Sequence, residues 1–483
     1  MPDSLVVGFD LDMTLVDTRP GIKRVWDELS ASTGVVIDSD LAVSRLGPPL
    51  SVELANWVPA DQVDTFVQHY RDLYPDHAIA DSLPLPGAVA ALAAVRRHGG
   101  CSVVVTAKNA PNARHHMDHL GLDVDEVVGD LWGSGKGEAL RTHGASIYVG
   151  DHVHDVAGAR AAGAVSVGVL TGPCSAKELQ EAGADVVLDD LRAFADWLDE
   201  HVLATRLSAL EERLRQLGSV LVAFSGGADS ALLLAAACRV LGPDRVAAAT
   251  AVSDSLPVAE RDPAAAFAHS LGVRHVTPAT LEMDREGYRA NTGDRCYFCK
   301  AELVDVLGPV AAELGLAAVA TGTNADDAVA GFRPGIKAAA ERGAVTPLLD
   351  AGLSKAQVRE LSRRWDLPTW DKPAAACLSS RIAYGIEVTP ARLSRVDRAE
   401  LAVREVLAAH DVDVRDLRVR DLGDQARIEL DHGALAAVEV REGVAAACAA
   451  AAEELGFPSA YVDPQGFRSG SMNELLVDQG RFR

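Results

Sequence analysis

Three groups of residues in this chain have types and spacing suited to chemistry. Asp10 and Asp12 stand two apart at the end of an apolar run, with Thr14 just beyond. Carboxylates at that spacing share one side of an extended chain, and a turn after the strand aims both at one cation and one phosphorus. The second group is Ser225-Gly226-Gly227-Ala228-Asp229-Ser230, between the apolar run 220–224 and the apolar stretch 231–240. Gly226 and Gly227 let the backbone approach an oxyanion, Ser225 and Ser230 add hydroxyl donors, and the helix that follows turns its free N–H groups toward the same point. A lysine-bearing phosphate loop would place Lys where Asp229 stands, so this loop suits a magnesium-bound pyrophosphate better than a bare γ-phosphate. The third group is thiols: Cys296 and Cys299 in a C-x-x-C pair, and Cys377 further on. A zinc site usually collects four ligands, and no second pair is evident. A thioredoxin-like motif would open a helix directly after a strand, and residues 284–294 are not strand-like. Three thiolates suit a cubane cluster that leaves one iron open. Cys101, Cys174, Cys238 and Cys448 read as inert, and His115, His116 and His119 read as a solvated helix face rather than a metal patch.

These residues need sheets to position them. Short β-branched runs at 5–11, 102–106, 147–150, 165–170 and 186–188 alternate with helical stretches, which predicts a doubly wound parallel sheet. About 90 residues separate the first two runs, too many for a simple crossover. A helical cap is therefore expected over about 20–83. Leu203, Leu207, Leu210, Leu214 and Leu217 recur at helical spacing and mark a helix that opens a second domain. Further strands are expected at 220–224, 246–252, 273–278 and 317–321. From about Tyr384 the texture changes to a helix near 393–409, an alternating region at 417–430 and a helix near 438–455.

Ligands of open α/β sheets bind at the carboxyl ends of strands, and Asp10-x-Asp12-x-Thr14 lies at such an end. With Thr106 closing the next strand, Lys136 in Gly133-Ser134-Gly135-Lys136-Gly137, and Asp151 with Asp155 after a further strand, the order resembles the motifs of the haloacid-dehalogenase (HAD) phosphatases over about residues 4–200. The resemblance implies that Asp10 is the nucleophile and Asp12 the general acid and base. It also implies that Thr106 and Lys136 hold phosphoryl oxygens, that Asp10, the Asp12 carbonyl and Asp151 bind Mg2+, and that Asp155 supports that site. Met13 stands where the family usually has glycine, and is expected to touch cap and substrate.

The Ser225–Ser230 loop resembles the PP-loop of ATP pyrophosphatases. Together with Cys296 and Cys299, the runs at 322–327, 332–335, 347–355, 367–373 and 376–381, and the tail at 466–474, it resembles the ATP-dependent sulfur transferases that act on the nickel-pincer nucleotide (LarE). This resemblance implies that ATP adenylates a carboxylate of a pyridinium dicarboxylate mononucleotide and that protein-held sulfur displaces AMP to leave a thiocarboxylate. Asp229 would help place magnesium. The three-cysteine pattern resembles the family members that carry a 4Fe-4S cluster on Cys296, Cys299 and Cys377. Arg333, Lys337 and Arg381 are the cations expected on the substrate phosphate or carboxylates. Asp326 and Asp327 contact magnesium or adenosine, or simply start a helix after Gly322-Thr323-Asn324.

The expected architecture is α/β throughout: a HAD Rossmann-like domain at 1–202, a PP-loop domain with a doubly wound parallel sheet at 203–383, and a small α+β domain at 384–483 that drives homo-oligomerisation. Other PP-loop chemistries remain open at this stage: an amide-forming ligase resembling NAD synthetase, for which no glutaminase signature is visible, or a tRNA thiolase. A zinc-stapled binding module for adenine nucleotides would keep the motifs without catalysis. With 483 residues, 48% hydrophobic and 24% charged, the chain has the composition of ordinary globular protein. A net charge of −23 disfavours nucleic-acid partners, which need a basic footprint. No apolar run reaches the length of a membrane span, and the first residues do not form a signal peptide. Seven cysteines without such a signal read as thiols of a cytoplasmic enzyme acting on small molecules: ATP, a pyridinium mononucleotide, and a phosphomonoester or pyrophosphate.

Overall fold

The computed structural model describes residues 5–329, 331, 333–373, 376–468 and 472. It divides into two compact units, Met1–Ala204 and Thr205–Arg483. Among the described residues no helix is long and apolar enough to cross a membrane.

The first unit is built on a six-stranded sheet whose order is Glu126–Val128, Cys101–Val105, Val6–Phe9, Ile147–Gly150, Val165–Val169 and Val186–Leu188. Every pairing in it is parallel. Val6–Phe9 is buried along its whole length, as a central parallel strand covered on both faces must be. Phe9 lies opposite Val104 on one side and Val149 on the other, so Asp10, Thr106 and Asp151 leave the sheet at one edge. Val16–Asp17 pairs antiparallel with Leu83–Pro84, and the chain between them forms the helical cap. The cap has its own core, in which Val25, Trp26 and Leu29 of the helix Arg19–Thr33 meet Tyr70 and Tyr74 of the helix Val63–His77.

The helix that carries the leucine repeat starts earlier than the repeat suggests, at Phe194, and runs to Leu217. Its first turns supply Phe194, Leu198 and Val202 to the core of the first unit. The leucine repeat misses this start because the first turns contribute Phe194 and Val202 as well as Leu198 to that core.

In the second unit a four-stranded parallel sheet runs in the order Arg274–Val276, Val246–Ala249, Val220–Ala223, Ala318–Thr321. The helix Ala228–Leu241 buries most of its residues, and its Ala and Leu side chains let it lie close to the sheet. Beyond it, Leu417–Asp421 and Ala426–Leu430 form the antiparallel hairpin anticipated by the alternating region, and Ala460–Val462 joins parallel to the second strand. The helices Pro390–Ala409 and Val444–Glu453 cover this three-stranded sheet. The expected helix near 438–455 is in fact two, His432–Glu439 and Val444–Glu453, broken at Gly443 with φ of 84°. The tail motif lies mostly outside the described residues, as do Phe332, Ala374 and Ala375.

Asp421 ties the small sheet to the thiol-bearing segment. Its carboxylate, fully buried, accepts from Arg392 at 2.9 Å and from Arg395 at 2.7 Å. Its carbonyl accepts from the Ala383 N–H at 2.9 Å. Removing a partner from a buried ion pair typically costs about 3 kcal/mol or more. Asp421→Ala is therefore expected to destabilise the second unit by about that amount in urea unfolding; a change under 0.5 kcal/mol, roughly that of a surface substitution, would contradict the assignment.

Candidate active sites

The first unit gathers its carboxylates around one lysine. Lys136, at the start of the helix Lys136–Thr142, donates to Asp10 Oδ1 at 2.7 Å, to Asp155 Oδ1 at 2.6 Å and to the Tyr148 hydroxyl at 2.9 Å. Asp155 Oδ2 accepts from the His152 N–H at 3.1 Å, which fixes the carboxylate on the first turn of the helix Val153–Ala162. Thr14 donates to Asp151 Oδ1 at 3.0 Å. The backbone nearby must stay close to Asp151, because a Cβ on Gly172 would sit 1.7 Å from Asp151 Oδ2. Asp10, Asp151 and Asp155 place ligand atoms within 4.8 Å of one another, the one such group among the described residues.

Three buried carboxylates against one ammonium leave net negative charge in a place water hardly reaches. Burial, reinforced by Asp155 and Asp12 and opposed by Lys136, pushes the Asp10 carboxyl up to about 7. Asp151 is pushed well above the carboxylate range, by burial first and then by Asp155 and Asp10. A divalent cation with oxygen preference answers that excess, so the residues present fit Mg2+.

Asp12 is held differently. Lys108 lies 2.9 Å from Asp12 Oδ1, and Thr18 donates to the same oxygen at 2.5 Å. Burial raises the Asp12 carboxyl, but Lys108 and Thr18 outweigh it and hold it below its ordinary value. Lys108 also bonds the Tyr74 hydroxyl, which lies 2.9 Å from His116 Nε2, while His116 Nδ1 lies 3.0 Å from Ser82 Oγ. His116 is thus fully buried rather than on a solvated face, a correction to the sequence reading, and burial pushes its imidazole down to about 3. Its neighbour His115 is exposed on the other side of the same helix.

Asp10, Asp12, Thr106, Lys136, Asp151 and Asp155 all line one cavity of about 290 Å3. Met13 lines it too, with φ of 59°, a left-handed conformation that glycine adopts more cheaply. Lys108, Tyr74 and Trp132, which sequence reasoning missed, share the cavity. Only the position of Lys108 two residues after Thr106 could have drawn attention to it.

In the second unit Gly226 takes φ of 70°, and the loop turns through it into the helix Ala228–Leu241. Ser225 Oγ and Ser230 Oγ lie 3.2 Å apart, and the Gly227 N–H donates to Ser225 Oγ at 3.4 Å. Asp229 is ion-paired with Lys355, and Asn324 donates to its Oδ1 at 3.0 Å. Lys372 donates to the Gly226 carbonyl at 3.1 Å and pairs with Glu260 at 2.6 Å. Two lysines therefore stand at the loop without having been singled out from the sequence. Asn324 also accepts from the N–H groups of Asp326 and Asp327, the helix-start arrangement.

Ser225, Asp229 and Ser230 line a cavity of about 390 Å3 together with Cys299, Lys300 and Cys377. The Cys299 thiol is pushed well above its ordinary value by burial first, and then by Cys377, Glu282 and Cys296, so the three sulfurs are electrostatic neighbours. They are not close enough to be a group for a single metal ion. The cations expected for phosphate are dispersed. Arg333 is half exposed and 3.9 Å from Asp327, and Lys337 is three-quarters exposed beside Glu341. Arg381 is buried, with its guanidinium on Glu400 at 2.9 Å and on the Cys377 carbonyl at 2.9 Å. None of these three lines the described cavity.

A capped parallel sheet with a carboxylate cluster, followed by a glycine-turn nucleotide loop on a second parallel sheet, defines a two-part enzyme of phosphoester and ATP chemistry. Residues 7–169 match the model of the haloacid dehalogenase-like hydrolases. The chain is 28% identical over 233 residues to phosphoglycolate phosphatase of Agrobacterium fabrum, covering 43% of this chain and 98% of that protein. It is 40% identical over 276 residues to the uncharacterized protein slr1717 of Synechocystis sp., covering 57% of this chain and 100% of the relative. It is also 36% identical over 276 residues to the pyridinium-3,5-bisthiocarboxylic acid mononucleotide synthase of Lactiplantibacillus plantarum, covering 57% of this chain and 96% of that enzyme. The chain belongs to the family of these last two proteins and carries a HAD-like hydrolase domain in addition.

The carboxylate cluster has a measurable signature. Between the unfolded carboxyl value of about 4 and about 7, folded Asp10 binds more protons than unfolded Asp10, so stability falls as pH rises through that window. Buried His116 contributes the opposite slope below its ordinary value of about 6.5, so the readout is the difference between wild type and Asp10→Asn. In metal-free buffer the wild type is expected to lose unfolding temperature relative to that variant from pH 5 to pH 7.5, and millimolar Mg2+ is expected to restore it. Asp151→Asn, which removes a carboxyl whose charge burial and Asp155 disfavour in the folded site, is expected to raise the metal-free unfolding temperature and to abolish the Mg2+ response. An unchanged Mg2+ response in that variant would contradict the metal assignment.

Proposed function

We propose that the first unit is a magnesium-dependent phosphatase, and that the second unit adenylates a carboxylate of a pyridinium dicarboxylate mononucleotide with ATP and converts it to a thiocarboxylate. The observation that carries the second half is that Cys299 and Cys377 line one cavity with Ser225, Asp229 and Ser230. A sulfur source beside a pyrophosphate-holding loop suits carboxylate activation followed by thiolation. The synthase name of the Lactiplantibacillus plantarum relative agrees with that product.

In the phosphatase, Asp10 attacks phosphorus and Asp12 protonates the leaving oxygen. Asp12 then takes a proton from the water that releases phosphate. Lys136 fixes Asp10 and Asp155, and Thr106 donates to a phosphoryl oxygen. Asp10, Asp151 and the Asp12 carbonyl would hold Mg2+, with Asp155 behind them, and the ion draws charge from the phosphoryl oxygens. Lys108 must release Asp12 before Asp12 carries a proton, which makes its ion pair a gate on the acid step.

In the sulfur transferase, a carboxylate lacks a leaving group, and adenylation supplies one. The substrate carboxylate oxygen attacks the α-phosphorus of ATP, and pyrophosphate departs onto the Ser225–Ser230 loop, where Lys372 and Lys355 stand ready to neutralise it. Asp229 helps place the magnesium that accompanies ATP. A sulfur held at Cys296, Cys299 or Cys377 then attacks the acyl carbon and AMP leaves; where that sulfur is a cysteine's own, loss of its Cα proton and cleavage of its Cβ–Sγ bond free the thiocarboxylate and leave dehydroalanine. A 4Fe-4S cluster on these cysteines would make the sulfur renewable, whereas a single cysteine would be consumed. Arg333 and Lys337 are reserved for the substrate phosphate and second carboxylate, while Arg381, expected from the sequence in that role, is engaged by Glu400 and fixes the segment that bears Cys377. The domain limits proposed are 1–202, 203–383 and 384–483, the last serving homo-oligomerisation of a cytoplasmic enzyme without nucleic-acid partners.

ATP–pyrophosphate exchange tests the adenylation half. Exchange is expected only with the pyridinium dicarboxylate mononucleotide present, to fall at least tenfold in Lys372→Ala, and to survive Cys377→Ala, which blocks thiocarboxylate formation instead. Exchange that ignores the carboxylate substrate, or that is lost with Cys377, would overturn the assignment.

A further inference from the structure

The phosphatase cavity holds an aromatic ledge that the phosphoryl chemistry does not use. Trp132 lies just before the turn Gly133–Gly135 that delivers Lys136, with its backbone extended at φ −138° and ψ 146°. Its ring centroid is 4.0 Å from that of His154, and His154 stacks on His152 at 4.8 Å with 15° between the planes. All three rings line the same cavity as Asp10 and Asp12. On the cap side, a Cβ on Gly47 would meet the His152 ring at 3.1 Å, so the cap segment backs the ledge closely. Trp132 nevertheless keeps 37% of its surface exposed. An indole tilted by 50° against His154, which itself stacks on His152, and left partly open at a pocket wall is a platform for a flat ring.

The small acids and sugars that carry phosphate in simple metabolism would leave that platform bare. A cavity of about 290 Å3 is at the lower end of the range for organic ligands, about 300 Å3 upward. It admits one ring and one sugar rather than a dinucleotide.

We infer that the first unit takes a heteroaromatic ribonucleoside 5′-monophosphate, stacking its ring on Trp132 while its phosphate meets Asp10. The inference rests on the phosphatase reading above and names the substrate class of that site. The P–O5′ bond breaks as phosphorus passes to an Asp10 oxygen, and the 5′-oxygen takes the proton of Asp12. Water then attacks phosphorus, the bond from phosphorus to the Asp10 oxygen breaks to restore the carboxylate, and the water returns a proton to Asp12, so that inorganic phosphate follows the nucleoside. AMP, which the second unit's proposed reaction releases, and a pyridine mononucleotide both have this chemistry.

The test uses the full chain with Mg2+ and three probes: AMP, nicotinate mononucleotide and glycerol 3-phosphate. At least one nucleotide is expected to exceed glycerol 3-phosphate tenfold or more in kcat/KM, and the better of the two names the source. In Trp132→Ala that ratio is expected to fall about tenfold, the typical effect of losing a base-stacking ring, through KM, with Trp132→Phe retaining most of it. Glycerol 3-phosphate preferred, or a ratio unmoved in Trp132→Ala, would overturn the inference. If no probe is hydrolysed in a manner dependent on Asp10, the phosphatase reading fails, and binding still decides the substrate class. Calorimetry of the better-binding nucleotide with Asp10→Asn and with Asp10→Asn/Trp132→Ala isolates the Trp132 site from the ATP loop. A weaker constant in the double variant supports the platform, and equal constants refute it.

Discussion

The first unit buries carboxylates at the carboxyl edge of its parallel sheet and sets a lysine against them, and the second pairs half-buried carboxylates with lysines at its glycine loop. In the first, Lys136 is shared by Asp10 and Asp155. In the second, Lys355 faces Asp229, and Lys372 joins Glu260 to the loop carbonyl of Gly226. Charges in such places are costly unless paired, and the pairing fixes where the strand ends, turns and helix starts must lie. In the proposed reactions the same lysines would meet the phosphate oxygens that a substrate brings.

The small three-stranded sheet serves the thiols by the same means. Asp421 binds Arg392 and Arg395, and its main chain pairs with Ala383. Arg381 reaches Glu400 on the helix Pro390–Ala409 and the carbonyl of Cys377. Through these contacts the segment that carries Cys377 is anchored to the helix Pro390–Ala409, and Cys377 lines the loop cavity from the start of the short 3-10 helix Leu378–Arg381.

Much of this was legible in the sequence because the residues concerned terminate strands. Asp10, Thr106 and Asp151 each follow a β-branched run, so their convergence needs only a parallel sheet. Ser225, Gly226, Gly227, Asp229 and Ser230 were legible for the same reason. What the sequence hid depends on contacts between distant segments. Lys108 and His116 acquire their surroundings only when the cap lays Tyr74 and Ser82 against them. Arg381, read as a phosphate cation, finds Glu400 nineteen residues on, a partner that exists only once that helix packs back. The helix Phe194–Leu217 hid its true start because its leucine repeat describes only its second half.

In the proposed function the glycine loop activates a carboxylate at the expense of ATP beside waiting thiols. Oxygen tracing tests it most directly: the full chain is given ATP and a pyridinium dicarboxylate mononucleotide labelled with 18O in its carboxylates, and the AMP is analysed by mass spectrometry during the first turnover, in an Asp10→Asn background that leaves AMP intact. Adenylation predicts one labelled oxygen in the phosphate of each AMP released by thiolation. AMP formed at the same rate without label would mean that the loop splits ATP by water, and would contradict the account.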